Sequence, residues 1–262
     1  MPTLTTNEVT LNYETFGDAT KPALIFSNSL GTNYGMWQKQ FNYFKHDYFV
    51  ICYDTRGHGN STAPQGPYRL EQLGNDVIQL LDHLAVEKAS FCGISMGGIT
   101  GQWLAVHHPH RFNHVIVCNT AAKIGQESAW LERAAAVRAN GLSQIAATAA
   151  TAATRWFTER FIQSQAAVVA NLSHDLAAGS VEGYASCCEA LAKADLRADL
   201  NTVQIPVLVI AGTQDPVTTV ADGEFIQQQI ANSQLFAIDA SHISNIEQPQ
   251  AFNQAVADFI QR

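Results

Sequence analysis

Short apolar segments recur along the chain and alternate with segments of mixed polarity. Several of them lack the polar alternation of a strand with one exposed face, which predicts strands covered on both sides. Seven segments are mostly short and rich in β-branched or aromatic residues: 8–16, 23–27, 48–53, 90–93, 114–118, 207–211 and 235–238. They predict the strands of one sheet.

Amphipathic helices are predicted between these strands. Apolar side chains at spacings of three and four mark a helix ahead of the segment 90–93: Leu73, Val77, Leu80, Leu81 and Leu84. A similar pattern follows Pro249 near the end of the chain. Because strands joined by helices form right-handed crossovers, the alternation predicts an α/β protein with a mainly parallel sheet flanked by helices.

One region interrupts the alternation of strands and helices. From about residue 123 to residue 186 no segment is strand-like, and helix-prone sequence dominates, including the alanine-rich stretch 145–153. Loops inserted at the carboxyl ends of parallel strands usually line the ligand crevice. We therefore expect an inserted helical cap, 123–186, above a core formed by 1–122 and 187–262. The alternative is a helical extension packed elsewhere.

Composition favours a soluble, cytoplasmic enzyme. Of 262 residues 47% are hydrophobic, and 23 acidic against 15 basic residues give a net charge of −8, which argues against nucleic acid or an anionic membrane as partner. No apolar run approaches the roughly 18 residues of a membrane span, and the first residues do not resemble a secretion signal. Five cysteines without metal spacing are predicted to be reduced core residues. The oligomeric state is left open.

Gly93, Ser95 and Gly97 form a Gly-x-Ser-x-Gly pattern directly after a strand-like segment. This pattern is typical of a nucleophile elbow, a sharp strand-to-helix turn in which only glycine leaves room beside the serine. A helix that starts after Ser95 directs its free N–H groups toward charge formed at the serine. An ordinary glycine-rich loop is the alternative, so the partners of Ser95 decide between the two.

An acid and a histidine follow Ser95 in the chain order of nucleophile-elbow hydrolases. Asp215 comes just after the strand segment 207–211, and His242 comes just after 235–238. Alone, Asp215 resembles a turn residue before proline, and His242 a polar loop residue. Their shared position after strands predicts a triad with Ser95 as nucleophile, His242 as base and Asp215 as the orienting acid.

Two further turns follow strand segments. In this architecture the turn after 23–27 supplies one oxyanion-hole donor, here the backbone N–H of Leu30, and the backbone N–H of Met96 supplies the other. The turn 54–61 follows the next strand segment and contains His58. Since the base should follow the acid along the chain, we interpret His58 as a structural turn residue.

The elbow, the triad order and the turn 54–61 resemble the α/β-hydrolase family and, within it, the 3-oxoadipate enol-lactonases. Segments similar to these enzymes span nearly the whole chain: 27–32, 93–98, 118–122, 155–158, 182–188, 194–197 and 241–247. The resemblance implies an α/β-hydrolase fold with an eight-stranded sheet. It also implies hydrolysis of 3-oxoadipate enol-lactone, a small molecule, in the β-ketoadipate pathway of aromatic degradation.

The implied chemistry needs no metal and no organic cofactor, and residues 93–98 lack the G-x-G-x-x-G spacing of a dinucleotide loop. Three other interpretations share the fold. A broad carboxylesterase or perhydrolase would differ only in its cap and pocket. The remaining two are a carbon–carbon bond hydrolase of aromatic breakdown and a lactone sensor that binds without turnover.

The implied substrate carries a carboxylate on a small, mostly apolar ring, so a selective pocket needs a cation and an apolar wall. The predicted cap offers Arg133 one helical turn from Trp130, and Arg155 beside Trp156. We expect Arg133 to bind the carboxylate, because a planar guanidinium fits it, and Trp156 and Trp130 to line the pocket. Arg138 is interpreted as a solvated surface charge.

Overall fold

A computed structural model describes residues 2–143 and 150–261. Within them, one eight-stranded sheet has the order β1-β2-β4-β3-β5-β6-β7-β8. Its strands are β1 (Thr3–Thr5), β2 (Thr10–Phe16), β3 (Ala23–Ser27), β4 (Phe49–Tyr53), β5 (Ala89–Ile94), β6 (Phe112–Cys118), β7 (Val207–Gly212) and β8 (Ser233–Ile238). All seven predicted strands are present. The eighth, β1, has three residues and is too short to show a pattern of its own.

Most of the sheet is parallel, as predicted. At one edge β1 pairs with β2, and β2 with β4, in antiparallel fashion. The pairings from β4 through β3, β5, β6 and β7 to β8 are parallel. Every residue of β3, β4, β5 and β7 is buried, so side chains on both faces are covered, and this explains the missing polar alternation. At the opposite edge β8 is half exposed.

Helices cover the sheet and fill the predicted cap region. They are α1 (Gln38–Phe44), α2 (Leu70–His83), α3 (Met96–His107), α4 (Glu127–Asn140), α5 (Ala150–Trp156), α6 (Glu159–Ser164), α7 (Ala166–Ala178), α8 (Val181–Lys193), α9 (Val220–Gln229), α10 (Ser244–Glu247) and α11 (Pro249–Ile260). Both helices predicted from apolar spacing are present, as α2 and α11. Leu73, Val77 and Leu80 of α2 are buried, so its apolar face packs on the core.

The parallel strands end at one edge of the sheet, where polar side chains collect. Ser95 directly follows β5, and Asn119 directly follows β6. Asp215 and His242 come shortly after β7 and β8, and the turn after β3 holds Leu30. Segments far apart in sequence therefore converge on one crevice, the usual ligand position of such sheets.

Helices α4 to α8 lie between β6 and β7, where the sequence predicts a cap. α4 packs against α8, and α8 also contacts α2 of the core. The predicted boundary between residues 186 and 187 falls inside α8, since this helix runs from Val181 to Lys193. Of the alanine-rich stretch 145–153, residues 145–149 lie outside the described residues. The division into core and cap stays a prediction.

Arg138 is exposed at the surface, as predicted, but its guanidinium is paired with two acids. Its side chain is 34% exposed and contacts Glu182 at 3.0 Å and Glu189 at 2.6 Å. Because Arg138 belongs to α4 and both acids belong to α8, the ion pairs join the two helices. The acids lie 44 and 51 residues further along the chain, so local sequence gives no sign of them.

Two smaller predictions concern membranes and cysteines. In residues 2–143 and 150–261, no helix combines the length and the apolarity that crossing a bilayer requires. The cysteines are all buried and free: Cys52, Cys92, Cys118, Cys187 and Cys188. They occupy core positions, as their apolar surroundings in the sequence predict.

Candidate active site

Ser95 stands at a sharp turn between β5 and α3. Its backbone has φ 56° and ψ −112°, a conformation that non-glycine residues rarely adopt and that clusters at functional sites. A Cβ on Gly93 would clash with Gly97 O, and a Cβ on Gly97 would clash with Ser27 O. Close backbone approach therefore requires glycine on both sides of Ser95, as the elbow interpretation predicts. The Gly97 N–H donates to Asn28 O at 3.0 Å and joins α3 to the turn after β3.

The structure brings Ser95, Asp215 and His242 into one hydrogen-bonded chain. His242 Nε2 lies 2.9 Å from Ser95 Oγ, and His242 Nδ1 lies 2.7 Å from Asp215 Oδ2. All three residues are buried, which keeps bulk water away from the hydrogen bonds and strengthens them. These distances allow His242 to accept a proton from Ser95 while Asp215 holds the imidazole in the required orientation.

Asp215 is held as a carboxylate by several donors. Its Oδ1 accepts from the Val217 N–H at 2.7 Å and the Thr218 N–H at 3.1 Å, and its Oδ2 accepts from Thr218 Oγ1 at 2.8 Å. Burial acts to raise the pKa of Asp215, but the hydrogen bond and charge of His242, with Asn119 and Val217, outweigh burial and lower it. Asp215 is therefore ionised where it faces His242.

Asn119 and Thr218 are the site residues that motif analysis of the sequence missed. Asn119 Nδ2 donates to Asp215 Oδ2 at 3.0 Å, and Asn119 Oδ1 accepts from Ser244 Oγ at 2.6 Å. Asn119 has φ 43°, a left-handed conformation that asparagine tolerates better than most residues. Its position directly after β6 was the available signal, because the triad residues also follow strands.

Asp239, the other acid near His242 in the sequence, has different surroundings. Its side chain is 66% exposed, and it accepts a hydrogen bond from Gln214 Nε2 at 2.7 Å. His242 Nδ1 instead donates its hydrogen bond to the Asp215 carboxylate. The geometry therefore favours Asp215 as the acid.

Met96 directly follows Ser95 in the chain, and Leu30 lines the same cavity as Ser95. Met96 begins α3, so its N–H has no acceptor within that helix. Among the described residues, neither the Leu30 N–H nor the Met96 N–H donates to a protein acceptor, whereas the neighbouring Gly31 and Gly97 N–H groups both do. Two free donors near a candidate nucleophile are the arrangement that an oxyanion requires.

A cavity of about 210 Å³ lies in front of Ser95 and His242. Its other walls come from Leu30 and from the cap region: Trp130, Arg133, Arg155, Trp156, Leu176 and Tyr184. The Arg133 guanidinium lies 4.9 Å from the centre of the Trp130 ring, a cation–π contact, and Arg133 also hydrogen-bonds the Tyr184 side chain. Burial lowers the pKa of Arg155, with a further contribution from the charge of Arg133.

A larger cavity of about 390 Å³ lies beyond Leu176 and Tyr184 and contains Asp54 and His58, but not Ser95. The smaller cavity is the candidate active site, because the hydrogen-bonded chain of Asp215, His242 and Ser95 ends there. Burial raises the pKa of Tyr184 to about 12, against opposing effects of Arg133. Tyr184 is therefore a neutral partition between the two cavities.

This arrangement can carry out nucleophilic attack on a carbonyl carbon. It provides a serine hydroxyl, a base that touches it, and main-chain donors for the negative charge that develops on the oxygen. In the described part of the chain, no group of three or more His, Cys, Asp or Glu side chains is placed to hold a metal ion.

The sheet, its inserted helices and this site define a hydrolase with the α/β-hydrolase fold. The sequence profile of the alpha/beta hydrolase fold matches residues 22–249, and the chain belongs to that family.

Comparison with individual relatives shows which enzymes of this family the chain resembles. The chain is 65% identical over 260 residues to 3-oxoadipate enol-lactonase 2 of Acinetobacter baylyi, an alignment that covers 99% of this chain and 96% of the relative. It is 48% identical to 3-oxoadipate enol-lactonase 1 of the same organism, covering 96% of this chain and 93% of the relative. The enol-lactonase from Burkholderia xenovorans LB400 superposes with a TM-score of 0.96 at 42% identity, over 100% of both chains. The resemblance that the sequence motifs predict is confirmed.

Proposed function

We propose that the protein hydrolyses 3-oxoadipate enol-lactone to 3-oxoadipate through an acyl-enzyme on Ser95. The observation that carries the proposal is the chain Asp215–His242–Ser95, which ends at a small cavity lined by two arginines and two tryptophans. Relatives named as 3-oxoadipate enol-lactonases, at 65% and 48% identity, support the same substrate. This reaction places the protein in the β-ketoadipate pathway.

In the acylation step, Ser95 Oγ attacks the lactone carbonyl carbon while His242 Nε2 takes its proton. The 2.9 Å separation of these atoms suits that transfer. Asp215 stabilises the imidazolium that forms, and the Leu30 and Met96 N–H groups donate to the tetrahedral oxyanion.

Collapse of the tetrahedral intermediate breaks the ring C–O bond and leaves the acyl group on Ser95. The departing oxygen is an enolate, which the His242 imidazolium protonates and which then becomes the ketone. A water molecule, deprotonated by His242, attacks the ester carbonyl carbon, and the His242 imidazolium then returns the proton to Ser95 Oγ as the new carboxylic acid leaves and ionises. The sum is lactone plus water giving 3-oxoadipate and one proton.

The cavity walls account for substrate choice. A volume of about 210 Å³ suits a small ring. We propose that Arg133 binds the acetate carboxylate of the substrate, because a charge-assisted hydrogen bond in a closed site discriminates strongly against neutral analogues. Trp156 is buried and, with Trp130, supplies the apolar wall against the ring.

A steady-state assay of the purified protein with 3-oxoadipate enol-lactone, followed by loss of the enol absorbance, tests the proposal. We expect many turnovers, with kcat/KM well above the values for simple esters tested beside it. Faster hydrolysis of a broad ester panel would instead identify a general carboxylesterase. Binding of the lactone without repeated turnover would identify a sensor.

A further inference from the structure

Leu30 lies between two peptide planes, and each is fixed by hydrogen bonds. The Ser29 carbonyl accepts from the Thr32 N–H at 3.2 Å and from Thr32 Oγ1 at 2.8 Å. In a planar trans peptide, the Leu30 N–H points opposite to the Ser29 carbonyl. Fixing that carbonyl toward Thr32 therefore directs the Leu30 N–H to the other side of the turn.

The second plane, between Leu30 and Gly31, is fixed by His58. The Gly31 N–H donates to His58 Nε2 at 2.9 Å, and His58 Nδ1 lies 3.2 Å from Arg56 O. A carbonyl can only accept, so Nδ1 carries the ring proton and Nε2 is the acceptor. Burial lowers the pKa of His58 to about 4, against the opposing hydrogen bond to Arg56, so the ring is neutral at pH 7.

His58 can serve this purpose because its own turn is rigid. The preceding Gly57 approaches Gly183 of α8 so closely that a Cβ on either would clash with the other. Arg56 Nε and Nη2 each donate to the Asp76 carboxylate at 2.7 Å, in a buried bidentate pair. The acceptor for Gly31 is therefore held by both the core and α8.

Gly31 makes the hydrogen bond to His58 necessary. Gly31 has φ +80°, and glycine adopts positive and negative φ with similar ease. Without an acceptor at His58 Nε2, the peptide between Leu30 and Gly31 can turn, although the Thr32 hydrogen bonds to Ser29 O still close the loop around it. Turning changes ψ of Leu30 and strains this closure, and thereby loosens the Ser29–Leu30 plane that carries the Leu30 N–H.

We propose that His58 is a positioning residue, which holds the Leu30 N–H in the orientation that binds the oxyanion. The proposal rests on the acyl-transfer function proposed above for Ser95, but not on the identity of the lactone. It assigns to the turn 54–61 a role in the reaction, exerted through Gly31.

The variants His58→Gln and His58→Met form a matched pair for testing this role. Their side chains have similar length and volume, but only glutamine offers an oxygen that can accept from the Gly31 N–H. We expect His58→Gln to retain kcat within about threefold. We expect His58→Met to lose roughly 10- to 100-fold in kcat, less than the 10²- to 10³-fold of deleting a donor outright, with KM changed by less than about threefold.

Inhibitor binding separates positioning from general damage. A boronic acid forms a tetrahedral adduct on Ser95 and uses the oxyanion donors, whereas 3-oxoadipate binds as a ground-state product. We expect His58→Met to weaken the boronic acid in proportion to its loss in kcat and to leave inhibition by 3-oxoadipate unchanged. Equal kcat and equal boronic acid affinity in the glutamine and methionine variants would overturn the proposal.

The assays also use p-nitrophenyl acetate, which reports acyl transfer at Ser95 whatever the natural substrate is. Turnover of this ester without turnover of the enol-lactone contradicts the proposed substrate, and the matched pair still tests His58. Nitrogen-15 NMR of the wild-type protein provides a test that needs no folded variant. It should show His58 protonated at Nδ1 and bare at Nε2, and a proton on Nε2 would overturn the proposal.

Discussion

The cavity has two sides. One side carries Ser95 and His242, and the other, here called the cap-derived wall, consists of Trp130, Arg133 and Trp156. Different structural elements position the two sides. Ser95, Asp215 and His242 each follow a different strand of the same sheet, and their positions depend on main-chain geometry and buried hydrogen bonds. Arg133 and Trp156 come from helices of one inserted segment and reach the cavity through their side chains. The proposed nucleophile, base and acid thus depend on the sheet, whereas the proposed substrate-binding side chains come from the inserted segment. The two parts also touch, because the Trp156 carbonyl accepts from the Ile243 N–H, next to His242, at 3.0 Å.

Among the variants proposed here, Ser95→Ala is expected to reduce turnover most. It tests a residue that the sheet positions. The change removes only the nucleophilic oxygen, so we expect a folded protein with turnover reduced about 10⁴- to 10⁶-fold in a steady-state assay. Ser29→Ala makes the same change at another serine that lines the cavity and should have a small effect. Near-normal turnover by Ser95→Ala would rule out Ser95 as the nucleophile.

Asp215→Asn tests whether the buried acid orients the base. Asparagine leaves His242 in the wrong tautomer, so kcat should fall about 10⁴-fold. The matched control is Asp239→Asn, which changes an exposed acid and should have little effect. If Asp239→Asn reduced kcat and Asp215→Asn did not, the acid has been assigned to the wrong residue.

Leu30→Pro tests the main-chain donor. Proline has no N–H, so kcat should decrease about 10²- to 10³-fold if that group stabilises the oxyanion. Leu30→Met keeps the N–H and a side chain of similar size, and we expect it to remain near wild type. A Leu30→Pro protein with native circular dichroism and an ordinary kcat contradicts the assignment.

Arg133→Leu tests the cap-derived wall. Loss of one charge-assisted hydrogen bond of roughly 1.5 to 3 kcal/mol should lower kcat/KM for the anionic lactone about ten- to a hundredfold and spare a neutral lactone or ester. Arg138→Leu removes a different cap arginine, one already paired with acids, and should not change the preference for the anion. Equal losses of Arg133→Leu on both substrates would mean that Arg133 only supports the cap.

Glu182→Gln probes the ion pair that joins α4 to α8 and has the smallest expected effect. Hydrogen bonds, above all from Arg138, lower the pKa of Glu182 to about 2 from an ordinary value of 4.5. The carboxylate therefore stabilises the folded state above about pH 4.5, and this contribution is lost as the pH falls toward 2.

For a partly exposed pair we expect about 0.5 to 1 kcal/mol in the free energy of unfolding at pH 7. Urea denaturation of the wild type and Glu182→Gln should show this difference shrinking between pH 5 and pH 3. A difference that stays constant over that range would exclude the ion pair as its source.

The sequence predicts the parts that depend on short patterns. Buried strands have continuous apolar runs, and Gly93 and Gly97 are required by close approach beside Ser95, so both leave local signals. The triad order then places Asp215 and His242.

Contacts between distant segments leave no such signal. Asn119 reaches Asp215 across 96 residues, and the acids that pair with Arg138 lie more than 40 residues away. The hydrogen bond of His58 to Gly31 is another contact that the local sequence does not predict. The turn that contains His58 is predictable from glycines and polar residues, but its hydrogen bond to Gly31 exists only in the folded chain.

The course of α8 has a consequence for making chimaeras with other hydrolases. An exchange of residues 123–186 would cut this helix in its middle, and the helix packs against both α4 and α2. Ser180 Oγ caps the helix by accepting from the Gly183 N–H at 3.1 Å, so the helix is a unit from Ser180 onward. A recombination junction placed before Ser180 exchanges helices α4 to α7. It keeps the recipient's own α8, with its pocket-lining Tyr184 and the Gly57–Gly183 contact.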